Sequence, residues 1–148
     1  KTSTRELLPQ FDAEAISLKL LYETQTIRVP KCYLTGTSHA HSFIVLDYLP
    51  LSKLTDPSAS FDLGVQLAKL HSVGEQKEYG FDSDNYIADT LQPNQWNKKW
   101  ARFFSEQRIG WQLQLLSEKG LNLGDIDSLV EFVYQKCHPR IQFLGISP

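Results

Sequence analysis

The segment Phe43-Ile44-Val45-Leu46-Asp47-Tyr48-Leu49-Pro50 constrains this chain more than any other. Phe43 to Leu46 is apolar on both faces, the pattern of an interior strand, and the first interruption is the carboxylate of Asp47. Pro50 lacks a backbone donor and ends any sheet there. An interior strand needs partners. Cys32 to Gly36 supplies one, and a polar turn through Thr37, Ser38 and His39 predicts a hairpin with a second strand from Ser42 to Leu49. Upstream, Phe11, Ala15, Leu18 and Tyr22 recur at helical spacing, with Pro9 in a first turn where its missing N–H costs nothing.

Beyond Pro50 the pattern changes. Residues 51–60 are rich in Ser, Pro, Asp and Thr and read as a linker. Phe61 to His71 places Leu63, Leu67 and Leu70 on one face of a second helix that ends before Gly74. Residues 75–94, with Gly80 and Pro93 and no sustained period, read as a long shaped loop, which is uncommon unless it does something. Trp96 to Glu118 reads as a third helix with Gly120 at its C-cap, and Asp125 to Lys136 as a fourth with Ile126, Leu129, Val130 and Val133 inward. The expected class is α+β, with a small β-rich layer over 1–50 hinged to a mostly helical layer over 51–148.

The balance of 15 Lys and Arg against 17 Asp and Glu, a net charge of −2, lacks the basic footprint of a nucleic-acid binder. The longest apolar runs are a few residues against the ~20 that span a bilayer, so no membrane partner is expected. Cys32 and Cys137 are too far apart for a CxxC motif, which points to a reduced, cytoplasmic setting. The chain opens on Lys1 and contains no Met, so it is expected to be an internal piece of a longer protein. Walker-type, dinucleotide, hydrolase-elbow and HExxH motifs are missing from the sequence, which leaves those chemistries without support.

Among residues that could carry chemistry, Glu14 stands between Phe11 and Leu18 on the face of the first helix that faces the core. Either a basic partner such as Lys1 waits for it, since stranding a buried charge costs about 3–5 kcal/mol, or it is a rim carboxylate in water. The connector Asp47-Tyr48-Leu49-Pro50 either presents unpaired backbone groups to the edge of a flat heterocycle or is a plain exit turn. Trp96, Trp100, Phe103, Phe104 and Trp111 form an aromatic stripe of the kind that fills cores. Trp96, directly after the Gln92-Pro93-Asn94 loop, is the member placed to project into a cleft and stack on a sugar or amine. His71 is expected to close the core, His39 and His41 to be solvated, and His138 to lie in a loop before Pro139.

With Lys1, the FDAEA helix around Glu14 and the FIVLDYLP hinge in one register, the chain resembles the fructosamine kinases, or ketosamine-3-kinases, and their bacterial branch in particular. The segments ELLPQFDAEA, TIRVPK, LAKLH, YGFDSDN and QPNQWNKKWARFFSEQRIGWQLQL carry the likeness almost end to end. It implies a protein-kinase-like fold, here a partial small β-rich lobe hinged to a partial helical lobe. It also implies use of ATP and Mg2+ to phosphorylate the sugar moiety of ketoamines, on small molecules or glycated protein, as a repair of glycation. In this resemblance Lys1 matches the strand lysine on the ATP α- and β-phosphates, and Glu14 the helix glutamate that holds it, which favours a buried pair. Asp47, Tyr48, Leu49 and Pro50 match the hinge that receives adenine, and Asn94 and Trp96 fall on the substrate side. The glycine loop is expected before Lys1, and the His-Gly-Asp loop with the general base, like the magnesium-binding Asp, after Pro148. No catalytic base is therefore expected within this chain, which as given should be inactive. A choline or aminoglycoside kinase, or a non-catalytic nucleotide-binding domain of the same fold, are the alternative readings.

Overall fold

The computed structural model describes residues 1–74 and 76–143. Two compact units divide the chain, Lys1–Glu75 and Gln76–Pro148.

In the first unit β1 (Thr2–Thr4) leads through a 3-10 turn (Arg5–Leu7) into α1 (Leu8–Thr24), followed by β2 (Cys32–Ser38), β3 (His41–Leu46) and α2 (Pro57–His71). The sheet is antiparallel in the order β1-β3-β2, so the strand that is apolar on both faces is the central one. The β2–β3 turn is His39-Ala40, because Thr37 and Ser38 remain paired with Ser42 and His41. His39 takes the left-handed position at φ 43°, a conformation in which His is several-fold enriched. β3 ends at Leu46 and not at Leu49, so Asp47 to Pro50 forms a connector outside the sheet.

Pro9 sits in the first turn of α1 as its chemistry requires. The helix packs across β2 and β3 and covers Ile44, which is 1% exposed, together with its own Phe11 and Ala13. A Thr35 hydroxyl bond to Asp12 Oδ1 at 2.5 Å and a Ser42 hydroxyl bond to the Thr4 carbonyl at 2.6 Å fix helix and strand to the hairpin. α2 is capped by Asp56, whose carboxylate accepts from the Ser58 N–H at 3.0 Å and the Ser58 hydroxyl at 2.7 Å. Leu63 and Leu67 remain 37% and 39% exposed, and His71, expected to close the core, is exposed too. Helical period decides which residues share a face, not whether another element meets that face.

The second unit contains β4 (Asn85–Ile87), β5 (Thr90–Gln92), α3 (Trp100–Phe104), a π-helical segment (Ser105–Gly110), α4 (Trp111–Glu118) and α5 (Ile126–Phe143). The stretch read as an irregular loop thus holds a hairpin. Its two-residue turn, Ala88-Asp89, places Ala88 at φ 52° without the glycine or asparagine that usually announces such a turn. Trp96 does not begin the third helix. Asn97 is bridged to Tyr79 and Lys99 is extended, so helical geometry starts at Trp100. The far end agrees with the sequence: Gly120, at φ 88°, donates to the Ser117 carbonyl at 2.9 Å while Leu121 donates to Leu116 at 3.2 Å, a Schellman closure.

α5 starts behind Asp125, whose carboxylate accepts from the Asp127 N–H at 3.1 Å and the Ser128 N–H at 3.3 Å. It runs past Lys136 to Phe143, so His138 lies within a helix and not in a loop. Arg102 ties α3 to α5 through Glu131 at 3.2 Å and by stacking 3.8 Å above Tyr134. Beside it, a Cβ on Gly110 would stand 2.9 Å from Val130, so the missing side chain is what admits α5. That seating on Val130 and Tyr134 leaves Leu129, expected inward, 39% exposed. Among the described residues no helix is long and apolar enough to cross a membrane, and Cys32 and Cys137 are free thiols.

Candidate functional site

The strand register places Lys1. Its main-chain nitrogen donates to the Ile44 carbonyl at 2.9 Å and its carbonyl accepts from the Ile44 N–H at 3.0 Å, which sets Lys1 directly opposite Ile44. Directly opposed residues share a sheet face, here the face covered by α1. On α1, Glu14 follows Phe11 by three positions and meets the ammonium: Lys1 Nζ lies 2.5 Å from Glu14 Oε1. The two side chains are 58% and 33% exposed, so the pair sits at the rim of the helix–sheet contact. The favoured expectation of a buried pair is corrected on that point. Glu14 stands on the shoulder of the apolar stripe, where water still reaches it.

From Ile44 the central strand runs three residues to Asp47, about 10 Å at ordinary strand rise. Asp47 is fastened to the start of β2: its N–H donates to the Lys31 carbonyl at 3.0 Å, its Oδ2 accepts from the Lys31 N–H at 3.1 Å, and its Oδ1 accepts from the Tyr33 hydroxyl at 2.6 Å. The Tyr33 hydroxyl first, and then the Lys31 N–H, holds the Asp47 carboxyl below the usual carboxylate range. The same hydrogen bond pushes the Tyr33 phenol above its ordinary value. With the carboxyl lowered, the stabilisation is present above the unfolded-state pKa and fades as pH falls through the lowered one. With the phenol raised, its share is complete below the unfolded-state value and fades only as pH climbs through the raised one. The contact is therefore intact throughout neutral pH. Beyond Asp47 the character of the chain changes: Tyr48 is 90% exposed, and the backbone groups of Tyr48, Leu49 and Pro50 make no hydrogen bond among the described residues. This unit therefore carries an ion pair beside the middle of β3, opposite Ile44, and a strip of backbone without hydrogen bonds just past the strand's C-terminal end.

In the second unit, residues 79–84 and 94–97 lie antiparallel. Tyr79 and Asn97 exchange two backbone bonds of 2.8 Å each, and Phe81 donates to the Asn94 carbonyl at 2.9 Å. Asn94 is 3% exposed; its N–H reaches Asp84 Oδ1 at 2.8 Å and its amide nitrogen the Ser83 carbonyl at 3.1 Å. The Trp96 indole N–H donates to Asp82 Oδ1 at 3.0 Å, which pins the ring while 40% of the residue stays exposed.

The π-helical segment grips the other side. Gln107 and Gln95 exchange two bonds of 2.6 Å, from the Gln95 N–H to Gln107 Oε1 and from Gln107 Nε2 to the Gln95 carbonyl. Arg108 donates to the Pro93 carbonyl at 2.6 Å and to Asn94 Oδ1 at 2.5 Å, with its guanidinium 4.5 Å above Phe103. Burial pulls the Arg108 pKa down. Asn94 thus spends its side chain inside the loop, and Trp96 is the member that shows a face to solvent. Asp82, Gln107 and Arg108 escaped sequence reasoning. They lie in the YGFDSDN and FFSEQR segments, but contacts across 12 to 15 positions obey no spacing rule. Lysine cannot span both Arg108 acceptors. Arg108→Lys is expected to cost about 1–3 kcal/mol for the orphaned oxygens, read as a lower unfolding midpoint of the full-length protein.

Lys1, Glu14 and Asp47 to Pro50 are thus brought together in one unit, and Asn94 and Trp96 in the other. Among the described residues no group of three or more His, Cys, Asp or Glu side chains is assembled to hold a metal ion. A model of the fructosamine kinase family matches residues 1–142, a span that includes both arrangements.

The chain belongs to the fructosamine kinase family.

Relatives within it include a probable ketoamine kinase of Vibrio parahaemolyticus, 58% identical over 91% of this chain and 47% of that protein. Another, from Escherichia coli K12, is 48% identical over 92% of this chain and 47% of its own. The crystal structure of a "Putative fructosamine-3-kinase" from Haemophilus somnus superposes with a TM-score of 0.83 at 42% identity, covering 91% of this chain and 45% of that one. The mixed arrangement of small sheets and helices is therefore a fold shared within the fructosamine kinase family. The chain spans just under half the length of these relatives.

Proposed function

We propose that this chain is the part of an ATP-dependent ketoamine kinase that holds the nucleotide, in a protein-kinase-like fold whose small lobe is the β1-β3-β2 sheet with α1. The observation that carries the reading is the Lys1–Glu14 ion pair, set opposite Ile44 on the strand that leads into the unbonded backbone of Tyr48 to Pro50. Phosphoryl transfer depends chiefly on position and charge neutralisation. An ammonium held by a carboxylate can neutralise phosphate oxygens, and one turn of free backbone about 10 Å along the strand can receive the edge of a purine. The rim position suits this work, because a buried pair could not meet a ligand.

On this reading the loop of 93–97 serves the ketoamine. Trp96 offers an indole face on which a sugar can stack, while Asn94, fastened to Ser83 and Arg108, keeps that loop in shape. Magnesium, when bound, would supply charge neutralisation on the phosphates in such a reaction. The relatives named as ketoamine and fructosamine kinases support the choice of acceptor.

The deciding experiment measures ADP release by the full-length protein with ATP, in the presence and absence of a fructose–amine adduct. Adduct-dependent release is expected. Release that follows choline or an aminoglycoside instead would move the protein to those acceptors, and nucleotide binding without turnover on any of them would overturn the kinase reading.

A further inference from the structure

The segment that leads into the unbonded backbone strip is fixed by one side chain that no family motif assigns. In the β2–β3 ladder Cys32 pairs with Leu46 and Leu34 with Val45, which leaves Tyr33 as the extra residue of a bulge. A bulge bends its strand and re-aims the side chain it carries. Here the phenol is aimed at the residue after β3, where its hydroxyl donates to Asp47 Oδ1 at 2.6 Å. Lys31 takes the other carboxylate oxygen through its N–H at 3.1 Å and lays its ammonium 5.4 Å from the Tyr33 ring centroid. Asp47 therefore has both carboxylate oxygens and its own N–H engaged by Lys31 and Tyr33, whereas Tyr48, Leu49 and Pro50 make no backbone hydrogen bond among the described residues. The hydrogen bonding of this segment stops at Asp47.

We infer that Tyr33 is a positioning residue for nucleotide recognition: through Asp47 it sets the direction in which the Tyr48–Pro50 backbone leaves the sheet, and so the edge that strip presents to a purine. This rests on the reading of Asp47 to Pro50 as the adenine site. Hydrogen bonds from a backbone strip discriminate bases only if the strip is held still, because donor and acceptor must meet within a few tenths of an ångström. Tyr33 is 58% exposed and packs little, so its hydroxyl, and not its burial, is what the site uses.

The test is Tyr33→Phe in the full-length protein, which removes one oxygen and keeps the ring. KM for ATP is expected to rise about threefold to tenfold, the change produced by losing one hydrogen bond, with kcat and the ketoamine KM unchanged. The preference for ATP over GTP should narrow by a similar factor. A merely structural Tyr33 would lower the unfolding midpoint without touching the ATP-to-GTP ratio or separating KM from kcat, and that result would overturn the inference. Wild-type protein that binds ATP, with Tyr33→Phe indistinguishable from it, would overturn it as well while leaving the nucleotide site in place. Wild-type protein with no nucleotide affinity would instead remove the reading on which it rests.

Discussion

Lys1→Ala in the full-length protein is expected to lower kcat for phosphoryl transfer by about a hundredfold to a thousandfold while its unfolding midpoint stays put. The two halves of that expectation come from the same exposure. A pair that is 58% and 33% exposed exchanges water for its partner at little net gain, and exposed ion pairs contribute about 0–1 kcal/mol. Little stability can therefore be lost with the side chain. The main-chain bonds between Lys1 and Ile44 survive the substitution, so β1 keeps its register. On the proposed reading, what disappears is a positive charge held in place before the phosphates arrive, and pre-positioned charge is the largest single source of rate in reactions of this kind. Glu14→Gln should reproduce part of the loss by leaving the ammonium unguided. Lys19→Ala breaks another pair on the same helix, Lys19 with Glu23 at 3.9 Å, and should change nothing. Full activity in Lys1→Ala would mean that the phosphates bind elsewhere.

How far this arrangement was legible in the sequence depends on what kind of information each feature needs. The central position of β3 followed from apolar residues on both faces of Phe43 to Leu46, and the closure at Gly120 followed from the one residue type that tolerates the left-handed turn. The exposure of Glu14 did not follow. It lies three residues after Phe11 and four before Leu18, and periodicity resolves a helix face only to about a quarter turn, which is too coarse to separate rim from core. The β4–β5 hairpin was hidden because Ala88 adopts its positive φ without a glycine. The start of α3 was misplaced for a different reason: local propensity runs on through Trp96 to Lys99, and only the pairing of Tyr79 with Asn97 stops it. Features fixed by nearest neighbours are written in the local sequence, whereas those fixed by contacts from afar are not.

Gly80→Ala should be the most disruptive glycine-to-alanine change among the described residues. At Gly80 a Cβ would fall 2.8 Å from Trp96 Cα, 2.9 Å from the Asn94 carbonyl oxygen and 3.0 Å from the Trp96 nitrogen. All three atoms are backbone, so no side-chain rotation can make room. The residue also sits at φ 154°, which L side chains rarely adopt. Strain at such a position costs about 1–3 kcal/mol, and overpacking adds a similar amount, so a loss of about 2–5 kcal/mol is expected as a lower unfolding midpoint of the full-length protein. Gly124→Ala separates the two contributions, because Gly124 stands at φ 71° with open space where its Cβ would go; it should lose only the strain. Relief of the clash must part 79–84 from 94–97, and those pairings are what hold Trp96 against Asp82. At temperatures where Gly80→Ala remains folded, the ketoamine KM should therefore rise severalfold while the KM for ATP holds, since Lys1 and the Asp47–Pro50 strip belong to the other compact unit. An unfolding midpoint no lower than that of Gly124→Ala would show that the 94–96 backbone yields freely, and a loop that yields freely could not keep an indole aimed at a sugar.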